Sequence, residues 1–327
     1  MTRNFAPILL AACMLAAPLG AAAQARFDGL VVFGTSLSDP GNAFALRGGT
    51  NTPPNYQVDP LLVPPADAPY ARGGHHFSDG ATWAEQLARF LGLAASAKPA
   101  LANQSKKAAN YAVGGARAID TADGFDLGDQ VGAFLRDRGG AAPGGALYVV
   151  EMGGNDLRDA MLAYLGAGGG ANGELAAGAV IGGALQSIGD NIFALYRAGA
   201  RKFLVLNAPN LGLTPAIRAL DSVSPGAVAL ANALSVGFNQ GLEFQVLAGL
   251  SGLPGIEIMS FDLYGRLQAI VADPSAFGLS NVTSACITPQ SAPYHCKEFS
   301  EYLFWDGIHP TAAAHAIVAQ QVAETLP

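Results

Sequence analysis

The 327-residue sequence predicts an α/β fold, a three-layer α/β/α sandwich on a mainly parallel five-stranded sheet. Three observations predict it. Short apolar runs alternate with longer stretches of helical period, the runs are bounded by glycine, proline or polar residues, and no composition shift marks a linker between two folded units. Strands in such an alternation are buried on both faces, because each crossover helix covers the sheet to which the chain returns.

The expected strands are residues 30–33, 109–113, 146–152, 202–207 and 256–261, each short and apolar. Residues 82–93, 130–138, 173–198, 227–250 and 311–326 carry apolar positions at helical period. The glycine-rich stretch 166–173 reads as a surface loop between two helical patterns. Residues 52–70, rich in proline and dotted with Leu61, Leu62 and Val63, read either as an extended solvent loop or as a wall of a substrate cleft.

The N-terminus has the order of a secretory signal peptide: Arg3, an apolar run from Phe5 to Leu19, then small residues around Ala23 and Ala25. The expected organisation is therefore a signal peptide over 1–25 and one domain over 26–327. Pro7, Pro18 and Gly20 interrupt the run, which falls short of the roughly 20 apolar residues that span a bilayer. Leu10-Ala11-Ala12-Cys13 also fits the pattern before a lipidated cysteine, but it leaves a very short apolar segment and ranks below ordinary export to the periplasm or medium.

Without Cys13, two cysteines remain, Cys286 and Cys296, an even pair that favours a disulfide in an exported chain. Adding His295 makes only three zinc ligands, a poor metal signature. The formal charge is −7, one unit more negative without Arg3, and there is no basic stripe, so nucleic acid is not expected as a partner. With 50% hydrophobic and 13% charged residues, the chain is not disordered.

The chemistry gathers at the carboxyl ends of the expected strands. Phe33-Gly34-Thr35-Ser36 stops a strand at glycine and presents a hydroxyl just beyond it, while Asp39, Gly41 and Asn42 crowd the same turn. A serine hydroxyl needs a base. Of the five histidines, His309 is the best candidate, because Asp306 three residues earlier can fix its tautomer and stabilise its imidazolium. The competing reading makes Asp306 a cap of the helix after Pro310. Asn110 to Ala116 and Gly153-Gly154-Asn155-Asp156 each end a strand in paired glycines, where donors could meet an oxyanion; singly, each could be a tight turn, with Asn155 an N-cap.

With these blocks in view, the chain resembles the GDSL, or SGNH, hydrolase family, in particular its bacterial secreted lipase, esterase and haemolysin-like branch. The resemblance runs over essentially all of the chain after residue 25 and implies a flavodoxin-like fold. It implies Ser36 as nucleophile with Asp306 and His309 completing a triad. The implied oxyanion donors are the backbone amides of Ser36 and Gly115 and the side chain of Asn155. Phe77-Ser78-Asp79-Gly80 and Asn207 to Gly212 look like secondary signatures of the same branch. Thr35 departs from the pattern: the family's usual residue there is an aspartate that braces the nucleophile loop, and threonine keeps only a hydroxyl for that task.

The implied function is hydrolysis of carboxylic esters through an acyl-serine intermediate without cofactor, lipid or phospholipid acyl esters being favoured as substrates. Acetyl groups on polysaccharides and small soluble esters are the alternatives, and a non-catalytic binding protein on the same scaffold is a third. No transmembrane domain is expected after residue 25.

Overall fold

A computed structural model describes residues 27–46, 75–102, 105–121, 124–287 and 296–327. The expected signal peptide, Cys13, residues 52–70 and His295 lie outside the described residues. Four parallel strands form the central sheet in the order β1 (Leu30–Gly34), β2 (Leu147–Glu151), β3 (Lys202–Leu206) and β4 (Glu257–Phe261). Their β-branched, aromatic and leucine side chains alternate between two helical layers. Val31, Phe33, Tyr148, Val150, Phe203 and Val205 face one layer. There they meet α3 (Leu127–Asp137), α5 (Gly170–Arg197) and α7 (Ala227–Gly241). Leu30, Val32, Leu147, Val149, Leu204 and Leu206 face the other, built from α2 (Trp83–Phe90) and α9 (Ala312–Thr325). The three-layer sandwich follows from this alternation.

The fifth expected strand, 109–113, lies beside β1 and forms only isolated bridges, from Asn110 to Val32 on one side and to Pro99 on the other. Val32 N–H donates to Ala109 O, and Tyr111 N–H and Val113 N–H donate to the carbonyls of Val32 and Gly34. The ladder is interrupted at Gly34, whose N–H donates instead to Gln130 Oε1 at 2.9 Å. Counted with this segment, the spatial order is 2-1-3-4-5. The chain thus leaves β1 in one direction and returns on its other side as β2, and the crevice at such a switch point is where open α/β sheets place their ligands.

The loop expected over 166–173 shrinks to three residues, because α4 (Gly154–Gly166) and α5 nearly meet. Helix α7 continues past Gly241 through a π-helical turn, Leu242–Leu247. The described residues also form a short α1 (Asn42–Leu46), α6 (Pro215–Val223) and α8 (Leu263–Ala272). Apart from the main sheet, β5 (Asn281–Ala285) pairs with β6 (Tyr302–Phe304). Cys286 is bonded to Cys296 just beyond β5. Cys286 N–H and Ile287 N–H donate to the carbonyls of Phe304 and Trp305, so the cross-link is fastened to the segment entering the 306–310 loop. No helix among the described residues is long and apolar enough to cross a membrane.

Candidate active site

Ser36 follows β1 directly, and its turn is held from several sides. Gln130 of α3 clasps Gly34, accepting from its N–H and donating Nε2 to its carbonyl, each at 2.9 Å. Asp39 is fully buried and collects four backbone N–H groups: Gly41 and Asn42 on Oδ1, Ala43 and Gly114 on Oδ2. Burial pushes its pKa up to about 6, against the opposing pull of those donors. Asn42 Nδ2 reaches the carbonyls of Asn110 and Ala112, and Asn110 Nδ2 returns to Ser38 O, all at 2.8 Å. The residues crowding this turn therefore strap it to the segment ending in Gly114 and Gly115.

The 306–310 loop is closed on itself. Trp305 N–H donates to His309 O, and Thr311 N–H to Leu303 O. Asp306 does not cap the following helix; that place is taken by Thr311, whose Oγ1 accepts from Ala314 N–H. Instead, Asp306 Oδ1 accepts from the N–H groups of Ile308 and His309 at 2.8 and 2.7 Å, and Oδ2 lies 2.7 Å from His309 Nδ1. His309 Nε2 lies 2.9 Å from Ser36 Oγ. With the carboxylate on Nδ1, that nitrogen carries the proton and Nε2 is the acceptor for the serine hydroxyl. Residues 273 apart in sequence thus form one hydrogen-bonded series.

Of the remaining described histidines, His75 packs on Phe44 and His76 pairs with Glu85 at 2.9 Å, while His315, buried in α9, lines the same cavity as His309. The Phe77 ring packs against the His309 imidazole, with centroids 5.3 Å apart. Its neighbours Ser78 and Asp79 bond the Pro310 carbonyl and the Ala312 N–H, which gives this secondary signature a structural task in docking the histidine loop.

Gly115 is exposed at φ +91°, with no atom within 4 Å of the position a side chain would take, so a ligand can approach its backbone. The next donor block follows β2. Gly153, at φ +115°, packs so closely on Phe238 that a Cβ would stand 2.5 Å from the ring. It is the residue before α4, and Asn155 lies in the first turn of that helix rather than capping it. Asn155 Nδ2 donates one proton to Ala116 O at 2.7 Å, leaving its second for a ligand. Asp156 accepts from Ala118 and Ile119 N–H, joining the two donor blocks.

An apolar cavity opens beside this series. Thr35, Ser36, Asn155 and His309 stand at it, and Leu206, Leu263, Leu267, Ile270, Phe304 and Val318 are among its walls. Two further residues reach the Ser36 turn: Gln130, at the start of the expected helix 130–138, and Glu151, inside the expected strand 146–152, neither of which carries a local motif in the sequence. No group of three or more His, Cys, Asp or Glu among the described residues could hold a metal.

A doubly wound sandwich with a serine, a histidine and an aspartate in hydrogen-bonded series at its switch point defines a class, the serine hydrolase-like α/β/α proteins. The chain belongs to the GDSL-like lipase/acylhydrolase family, whose model matches residues 30–322. It is 33% identical over 137 residues to the GDSL esterase/lipase At1g73610 of Arabidopsis thaliana, 42% of this chain and 39% of that one. Over 344 residues it is 25% identical to the GDSL esterase/lipase At2g27360 of the same plant, covering 91% of this chain and 84% of the relative. The match to several curated relatives, At1g73610 included, spans about two fifths of their length.

Proposed function

We propose that this protein is an exported serine esterase of the bacterial lipase, esterase and haemolysin-like branch, hydrolysing carboxylic esters and preferring lipid acyl chains. In this reading residues 1–25 are a signal peptide and 26–327 form one hydrolase domain. The observation that carries it is the 2.9 Å contact of Ser36 Oγ with His309 Nε2, backed by Asp306 at 2.7 Å, at the mouth of an apolar cavity.

In the first half-reaction, His309 Nε2 accepts the Ser36 proton as Oγ bonds the ester carbonyl carbon. Ser36 N–H, Gly115 N–H and Asn155 Nδ2 are the proposed donors to the oxyanion, which is where preorganised donors count most. The tetrahedral intermediate collapses by breaking the bond to the alkoxy oxygen, and His309 returns its proton to the departing alcohol. In the second half, His309 takes a proton from water, the hydroxyl adds to the acyl carbon, and the acid leaves as Ser36 recovers its proton. Asp306 holds the imidazole and stabilises its charged form throughout.

Leucine, isoleucine, valine and phenylalanine walls favour a hydrocarbon acyl chain over the hydrated rings of a polysaccharide. A series of p-nitrophenyl esters from acetyl to palmitoyl, assayed beside phosphatidylcholine, tests this. The expected result is a rise in kcat/KM with acyl length; activity confined to acetyl esters would favour the carbohydrate or small-ester reading.

A further inference from the structure

Glu151 ends β2, a strand buried along its whole length, and is itself 3% exposed. A carboxyl group in that position requires hydrogen-bond donors. The donors that meet it come from the turn carrying Ser36. Thr35 N–H donates to Oε2 at 3.1 Å, Thr35 Oγ1 lies 3.2 and 3.1 Å from Oε1 and Oε2, and Ser38 Oγ donates to Oε2 at 3.0 Å. Trp83 Nε1 donates to Ser38 Oγ at 3.0 Å, which leaves the Ser38 hydroxyl free to turn its own proton toward Glu151.

The sheet register explains how the carboxylate gets there. Glu151 pairs across the sheet with Gly34, and a Cβ on Gly34 would stand 3.0 Å from Glu151 Oε2. The side chain that Gly34 lacks is the space into which the carboxylate fits.

We propose that Glu151 is the positioning residue for the nucleophile: anchored on the adjacent strand, it holds the Thr35 amide and the Thr35 and Ser38 hydroxyls. Ser36 is thereby presented with Oγ toward His309 and its own N–H toward the substrate. This inference rests on the ester-hydrolase reading. It also accounts for threonine at position 35, because the bracing carboxylate enters from β2 and needs a donor there rather than a second acid. Burial pushes the Glu151 pKa up to about 7, which limits the negative charge standing behind a site built for an oxyanion.

The test compares Glu151→Ala, Glu151→Gln and the double variant Thr35→Asp, Glu151→Ala in the full chain. It reads kcat and KM with a p-nitrophenyl ester and hydrogen–deuterium exchange of the peptide spanning residues 34–39. Misplacement of a reacting group by an ångström costs about 100-fold, so Glu151→Ala should lose about that in kcat with KM little changed. Glu151→Gln, which keeps the shape and one acceptor oxygen, should stay within about fivefold of the wild type, consistent with the modest net worth of one hydrogen bond. The double variant should recover at least about tenfold over Glu151→Ala, as a carboxylate at position 35 can accept the Leu37 N–H that Thr35 Oγ1 now accepts, together with the Ser38 hydroxyl, although the Thr35 hydroxyl is lost. Unchanged kcat in Glu151→Ala, or equal loss in all three variants, would overturn the proposal. If the wild type hydrolysed no ester, the esterase reading would fail on its own. Exchange would still decide the positioning claim, supported by faster exchange over 34–39 in Glu151→Ala but not in Glu151→Gln, and overturned by unchanged exchange.

Discussion

The two oxygens of Asp306 are divided between its own loop and His309: Oδ1 takes the backbone N–H groups of Ile308 and His309, and Oδ2 takes the imidazole Nδ1. One side chain thus shapes the loop and orients the imidazole of the proposed base. Asp306→Asn separates the tasks. Its oxygen can still serve the two backbone donors, but its NH2 would face Nδ1 and force the proton onto Nε2, where it opposes Ser36. We expect kcat to fall by about 10⁴ with the melting temperature nearly unchanged. Activity within tenfold of wild type, measured with a soluble ester, would contradict the assigned role.

Asn155→Ala should lower kcat by about 100- to 1,000-fold with a small effect on KM, because a donor aimed at the developing oxyanion acts mainly in the transition state. Its Nδ2 is already fixed by the Ala116 carbonyl, which holds the second proton in direction before substrate arrives. A variant with raised KM and normal kcat would move Asn155 to ground-state binding.

Two buried groups give stability opposite pH dependences. Burial raises Glu151 from 4.5 to about 7, so the folded chain holds that proton more tightly than the unfolded one. Its contribution is complete below about pH 4.5 and is lost as the pH rises through 7, a span worth on the order of 3 kcal/mol. His315 runs the other way. Burial first, then its neighbour His309, lowers it from 6.5 to about 3, and its Nε2 has no hydrogen-bond partner. Its contribution is present above pH 6.5 and is lost as the pH falls toward 3. In urea unfolding, the stability of Glu151→Gln relative to wild type should therefore rise from pH 4.5 to 7.5. That of His315→Leu should rise as the pH falls from 6.5 to 3.5. Parallel curves for variant and wild type would contradict either assignment.

What the sequence disclosed follows from range. Ser36 after Gly34, and His309 three residues beyond Asp306, are local arrangements whose geometry is set within one turn, so their placement shows in the order of residues. Alternating buried strands gave the sandwich for the same reason. The fifth strand was only half legible, because its ladder to β1 is cut by the Gln130 amide, a residue on a helix that arrives 96 positions after Gly34. Glu151 was hidden more deeply. A lone acid at the end of an apolar run ordinarily reaches solvent, and only its register against Gly34 turns it inward. The cavity walls were missed with α6 and α8, short helices begun by Thr214 and Asp262 as N-caps. They supply Ile217, Leu263, Leu267 and Ile270, yet as isolated segments they are too short to carry a clear period.

Ser36 Oγ is proposed as the nucleophile, and a fluorophosphonate probe, whose phosphorus it would bond with loss of fluoride, reads this without knowledge of the natural ester. Intact-mass measurement of the probe-treated protein, followed by peptide mapping, should show one adduct on Ser36. The adduct should be absent from Ser36→Ala and formed far more slowly in His309→Ala, with all three proteins equally folded by circular dichroism. Ester hydrolysis by Ser36→Ala at the wild-type rate, or an adduct on any other residue, would contradict the account.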